Sequence, residues 1–229
     1  EPFSGQANPA AVSRINSSWG IMAEQKFLLR ELSFACFSLV LSNKNSGAGL
    51  FVNYTGDFLN FQSSGGLLLA RNLGKVAVGI GITRHQWKMA GYGNQVQYAG
   101  SAGCLFELSP KCMMGLAAMP VMVSHPSQEG LMPVARKFGW GVGYEISDEV
   151  SVSLVLEKIE GGEFCWRGAL HYKPVRSCQL QGGYDSGRQM PWLAAGWNFS
   201  FGSIVFFLTV HPVLGSTPGM QIIHPISHQ

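Results

Sequence analysis

The strongest constraint on this chain is a two-residue alternation that recurs, from Trp19 almost to the C-terminus, in segments of roughly ten residues. Between Lys75 and Thr83, Val76, Val78, Ile80 and Ile82 alternate with Ala77, Gly79, Gly81 and Thr83. Such a period puts one set on each side of an extended strand and scrambles them on a helix. The pattern returns over Gln95–Leu108, where Val96, Tyr98, Ala102, Cys104, Phe106 and Leu108 oppose Gln95, Gln97, Ala99, Ser101, Gly103 and Glu107. It returns again where Phe138, Trp140, Val142 and Tyr144 oppose Lys137, Gly139, Gly141, Gly143 and Glu145. Clusters of Gly, Asn, Asp, Ser and Pro separate the segments, as turns between strands require.

The solvent of these strands follows from what the two faces carry. Charged residues make up 13% of the chain, about half the roughly 25% usual for soluble domains. No run reaches the 18 or so apolar residues of a membrane helix; the best, Leu67–Ala70 and Ile204–Leu208, are short. In hydrocarbon every backbone polar group must be bonded internally, which leaves a closed barrel. A soluble sandwich or propeller would turn its apolar face inward and present Lys, Glu, Asp and Thr outside. Here the second face is mostly Gly, Ala and Ser. The expectation is therefore an all-β transmembrane antiparallel barrel of about fourteen strands, residues 17–229, preceded by residues 1–16, which show no strand pattern and read as a loop or a short plug segment.

Strands are expected near Trp19–Lys26, Glu31–Ser42, Gly47–Thr55, Leu59–Asn72 and Lys111–Val123, with the rest following the alternation to a closing strand over Thr217–Ser227. Short turns at Asn72–Lys75, Ser109–Lys111 and Lys173–Arg176 should face the periplasm, and longer connections at Lys88–Asn94 and Ser124–Pro133 the outside. Trp19, Trp87, Tyr92, Tyr144, Trp166 and Trp192 are candidates for the interfacial girdles. The chain opens at Glu1 without Met, as an exported protein with a cleaved signal peptide does.

Chemistry is sparse. The net charge is +3 with basic residues spread singly, so nucleic-acid binding has no support. Cys36, Cys104, Cys112, Cys165 and Cys178 show no C-x-x-C spacing and read as small buried hydrophobes. The six histidines lack metal-ligand spacing, and no nucleophile elbow, zinc-protease helix or phosphate loop is present. A non-enzymatic protein without metal or cofactor is expected. Arg84, Arg167, His171 and Glu145 are candidate lumen residues, more suited to pairing with one another than to conduction. The glycine-rich faces leave room for a plug or serve strand curvature.

The order of several short motifs resembles a known family. Ala7-Asn8-Pro9-Ala10-Ala11 is similar to the amino-terminal signature of FadL-like outer-membrane barrels, in particular the PorV/PorQ branch of Bacteroidota associated with type IX secretion. Further likenesses are Leu29–Leu32, Leu69–Lys75 with its turn, and His211–Gly215 before the last strand. The resemblance implies a fourteen-stranded barrel with Asn8, Pro9 and Ala10 in a luminal plug. It also implies a structural or docking subunit of a secretion or assembly complex, with outer-membrane lipids and other barrels or lipoproteins as partners. The alternative it carries is a channel for hydrophobic small molecules. The chain departs from the family in its short loops and in ending Ser227-His228-Gln229 instead of in an aromatic residue.

Overall fold

A computed structural model describes residues 1–91, 93–123 and 135–226. Within them the alternating segments become fourteen strands: β1 (Ser18–Gln25), β2 (Ser33–Ser42), β3 (Ser46–Gly56), β4 (Phe61–Asn72), β5 (Val76–Met89), β6 (Gly93–Ser109), β7 (Cys112–Val123), β8 (Lys137–Glu145), β9 (Val150–Ile159), β10 (Phe164–Val175), β11 (Cys178–Asp185), β12 (Met190–Phe199), β13 (Gly202–His211) and β14 (Gly215–Pro225). Each pairs antiparallel with its sequence neighbours, and β14 returns to β1, with Ile222 opposite Ile21. The sheet is a closed barrel with no edge strand, which removes the unpaired backbone groups that hydrocarbon does not tolerate.

The register separates two faces. Val78, Ile80 and Ile82 of β5 are exposed, whereas Ala77 and Gly79 are buried. Across the ladders, Ile80 lies opposite Leu69 and Ala102, and Leu116 opposite Trp140, so the bulky apolar set covers the exterior all round. The small and polar set, including Gly103, Gly141, Ser153 and Gly183, lines the interior. This inversion of a soluble fold is what a lipid-facing barrel demands.

One end of the barrel carries short turns together with the two strand termini Ser18 and Pro225, and by the usual asymmetry it faces the periplasm. At the other end β5 and β6 are the longest strands, at 14 and 17 residues, more than the roughly 9–11 a tilted strand needs to span. Lys88 and Asn94 are therefore a cross-strand pair and not the long connection expected between them; their polar run reads as a loop because the strands continue beyond the hydrocarbon. Similarly, Pro174 does not end β10, which runs to Val175 with a register shift after Tyr172, the kind of irregularity where a strand accommodates proline. Among the girdle candidates Trp19, Tyr144 and Trp166 face outward. Trp87 pairs with Gln62 and the buried Gln95, and Trp192 packs at Gly183, so both face the lumen. The expected connection over Ser124–Pro133, Tyr92, and the last residues of the expected closing strand lie outside the described residues.

The hydrophobic core sits inside the barrel and on one side of it. Val12 of the N-terminal segment packs with Val40, Phe51, Leu68 and Ala70 from the inner faces of β2, β3 and β4, and Ile15 joins them. All five cysteines are free; Cys36 is buried as expected, whereas Cys104, Cys112, Cys165 and Cys178 are only partly covered.

The two faces make opposite demands on a charge. Ile80→Arg, on the outer face in mid-strand, should lower the free energy of unfolding from lipid vesicles by about 2–4 kcal/mol, read by urea titration. An unchanged value would place that face of β5 away from hydrocarbon.

Candidate functional site

The N-terminal segment lies within the lumen. A short helical turn (Ser4–Ala7) leads into a 3-10 helix (Pro9–Ser13), with Asn8 between them in extended conformation. The Asn8 Oδ1 accepts from the Ala10 amide at 3.1 Å, which caps the second helix, and Pro9 follows where its missing N–H costs nothing. Pro9, Ala10, Ala11, Val12 and Ser13 are all buried. Two inward glycines permit this approach: a Cβ on Gly79 would strike the Pro9–Ala10 peptide, and one on Gly103 would strike the Asn8 side chain. Between the two earlier readings of the glycine faces, close approach of backbone applies at these positions.

Polar contacts anchor the segment along its length. The Ser38 hydroxyl donates to the Pro2 carbonyl at 2.8 Å, and the Asn53 amide to Gln6 Oε1 at 2.9 Å. The Ser42 hydroxyl donates to the Ile15 carbonyl at 2.6 Å while its N–H donates to Ser17 at 2.9 Å. Arg14 forms an ion pair with Glu107 at 3.3 Å and donates to the Gly74 carbonyl, fixing the segment near the periplasmic turn after β4.

Contacts of this segment concentrate on β2–β6, and space remains across the lumen. A cavity of about 200 Å³ is bounded by Glu1, Met22, Gln181, Trp192, Val205, Phe207 and Gln221. His171 lies on the inner face between Ser151 and that Gln181. Arg167 also points inward, paired with Glu157 and, at 3.8 Å, with Asp185, so one cation joins β9, β10 and β11. Glu145 faces inward opposite Ser151. Arg84 does not join these groups: it shares the outer face with Ile80 and Ile82, opposite Tyr98, and hydrogen-bonds Gln86 at 2.9 Å.

The Asn8 amide reaches the wall itself, donating to the carbonyls of Cys104 on β6 and Leu116 on β7, both at 3.1 Å. These two residues face each other across the β6–β7 ladder, which is irregular nearby. Gly100 pairs with Met122 but Ala102 with Ala118, so two steps on β6 correspond to four on β7. Outside the same stretch is an apolar groove of about 640 Å³, with Ala102, Cys104 and Ala118 among its floor residues and Phe138, Trp140, Leu156 and Phe164 beside them. One backbone layer thus separates the Asn8 anchor from a groove open to lipid.

The sequence marked Asn8, Pro9 and Ala10, which the structure brings to β5, β6 and β7. It marked Arg84, Arg167 and His171 as one lumen group, and only the last two share the interior. It did not mark Gly103, Ala102 or the Cys104–Leu116 seam, although small residues on both faces over Ala99–Cys104 were visible. The Arg14–Glu107 pair spans 93 positions and leaves no local trace.

No family model and no curated protein sequence matches the chain. Solved structures do. The CymD monoaromatic hydrocarbon channel superposes with a TM-score of 0.72 at 10% identity, over 100% of this chain and 94% of that one. A FadL homologue of Pseudomonas aeruginosa gives 0.67 at 10% identity, over 99% and 94%. The toluene transporter TodX of Pseudomonas putida gives 0.56 at 11% identity, over 96% and 91%. With the lipid-facing exterior and full closure, these likenesses give the chain the fold of a FadL-like transmembrane barrel, a protein of the outer membrane.

Proposed function

We propose that this barrel admits small hydrophobic molecules across the outer membrane, with the N-terminal segment as a luminal plug and the β6–β7 wall as the side exit. The carrying observation is the placement of Asn8, which bridges the two strands from within where the outer face carries an apolar groove. A solute entering from outside meets the Trp192–Phe207 side of the lumen, which the segment leaves unfilled. Release sideways into the groove spares an apolar solute the aqueous space below. The seam suits such an exit because its ladder is already interrupted and small residues line it on both faces. The solved structures described above include channels named for monoaromatic hydrocarbons and toluene, which favours this reading over a docking subunit of type IX secretion.

The side exit is open to a covalent test. Leu116→Cys sets a thiol opposite the native Cys104, within the Cα separation that antiparallel pairs and disulfides share. Oxidation should abolish uptake of labelled toluene by cells relying on this barrel, and reduction should restore it. Undiminished uptake through the cross-linked seam would overturn the exit.

The plug is tested separately. Deleting residues 1–13, or introducing Gly79→Val to evict the Pro9–Ala10 peptide, should raise the swelling rate of proteoliposomes in an isosmotic sugar several-fold. Equal rates for intact and truncated barrels would mean that the segment does not obstruct the lumen.

A further inference from the structure

Charge is distributed unequally between the two faces of the wall. The carboxylates on described strands, Glu24, Glu107, Glu145, Glu157 and Asp185, all face the lumen. Among the described strand residues, the outward face carries Arg71, Arg84, Lys88 and Lys158 and no carboxylate. Cations alone are thus turned toward lipid.

Two of them form a cluster. Arg84 is the ninth residue of β5 counted from its periplasmic end at Val76, the point at which a tilted strand has crossed the hydrocarbon. Lys88 lies four residues further, about 13 Å along the same face. Between them Gln86 accepts from Arg84 and donates to Asn94 on β6 at 3.0 Å. Lys88 stands over the Phe61 ring at 6.0 Å, and Phe61 stacks on Tyr54 at 5.5 Å. Tyr98 lies opposite Arg84. Below this level the same face is Val78, Ile80 and Ile82, all exposed. Both Arg84 and Lys88 are exposed, and among the described residues no carboxylate lies within ion-pair distance of either.

We infer that the outer face of β4–β6 binds a phosphate-bearing lipid of the outer leaflet. Its headgroup would sit across Arg84, Gln86 and Lys88, and its acyl chains on Val78, Ile80 and Ile82. The planar guanidinium of Arg84 suits a phosphate held by paired N–H groups. The spacing to Lys88 suits a headgroup with a second phosphate. The amphipathic Tyr54, Phe61 and Tyr98 supply the interfacial aromatic frame. This inference rests on the membrane barrel and not on its transport activity, so it stands or falls independently of the plug and the side exit.

The test is native mass spectrometry of the full-length barrel released from mild detergent. Diphosphoryl lipid A, monophosphoryl lipid A and phosphatidylethanolamine are supplied at equal concentration. A one-to-one adduct with diphosphoryl lipid A should survive, monophosphoryl lipid A should be held less well, and phosphatidylethanolamine should be lost. The double variant R84Q/K88Q should retain diphosphoryl lipid A about thirtyfold less, the effect of two interfacial cations. A second double variant, R71Q/K158Q, removes the same charge from elsewhere on the outer face and should retain it as the native chain does. Heat-modifiable gel mobility confirms that both are folded. Equal loss in the two variants, undiminished retention in R84Q/K88Q, or phosphatidylethanolamine held as tightly as lipid A would each overturn the inference.

Discussion

A backbone amide in hydrocarbon has no water to turn to, and closure of β14 onto β1 answers that need for the whole chain at once. Removing either strand would expose two edges, each a row of unpaired N–H and C=O groups, and each unsatisfied group costs several kcal/mol. Once closure is required, the rest of the architecture has little freedom. Antiparallel neighbours follow from short connections, and alternate residues must then divide between lipid and lumen. The register does this without exception through the middle of β5 and β6, where Ile80 and Ala102 face out together and Gly79 and Gly103 face in. A slip of one residue would bury the isoleucines in the lumen and turn the glycines toward lipid.

A barrel of this size has an interior too wide for small side chains to fill, and the chain fills one side of it with its own N-terminus. The packed hydrophobic cluster is made by Val12 and Ile15 against the inner faces of β2–β4, so the equivalent of a soluble core is a borrowed one. Small residues on the wall are the condition for it: bulk supplied by the segment must be absent from the strands. Because Arg14 is tied to Glu107 and Gly74 while Pro2 is tied to Ser38, the segment is held at both ends and cannot swing out as a rigid body without breaking separated contacts.

The fold was legible because its determinant is local. Period-two alternation over Lys75–Thr83 or Gln95–Leu108 needs no knowledge of the partner strand, and low charge without long apolar runs selects the solvent. Errors arose where two different causes leave the same residues. A polar stretch such as Lys88–Asn94 looks like a loop whether the chain turns or a strand rises above the hydrocarbon, and the pairing of Lys88 with Asn94 decides for the strand. Tryptophan is suited to an interface and to a ligand cavity alike, so composition placed Trp192 in a girdle and register places it in the lumen. Parity settles Arg84: β5 continues past Thr83 to Met89, and Arg84 follows Ile80 and Ile82 at an even position, so it lies outside. The Asn8 anchor was marked as a segment, but its acceptors on β6 and β7 lie 96 and 108 residues away, a separation at which sequence carries no pairing information.

The seam between β6 and β7 is where stability and permeability meet. A ladder with a two-residue mismatch forgoes regular hydrogen bonding locally, so any group that holds the two strands together beside it counts for more. Asn8 does so from inside with one amide shared between two carbonyls, and the cost of separating those strands therefore depends on where the N-terminal segment sits. Coupling of this kind requires no moving loop. On the transport reading proposed above, a solute that competes for the space beside the segment would shift Asn8, and displacement of Asn8 would weaken a stretch of wall whose ladder is already irregular. On that reading the same side chain would be a strut when the lumen is empty and the release when it is occupied, which is what a barrel with short loops needs if it is to pass apolar molecules without becoming an open pore.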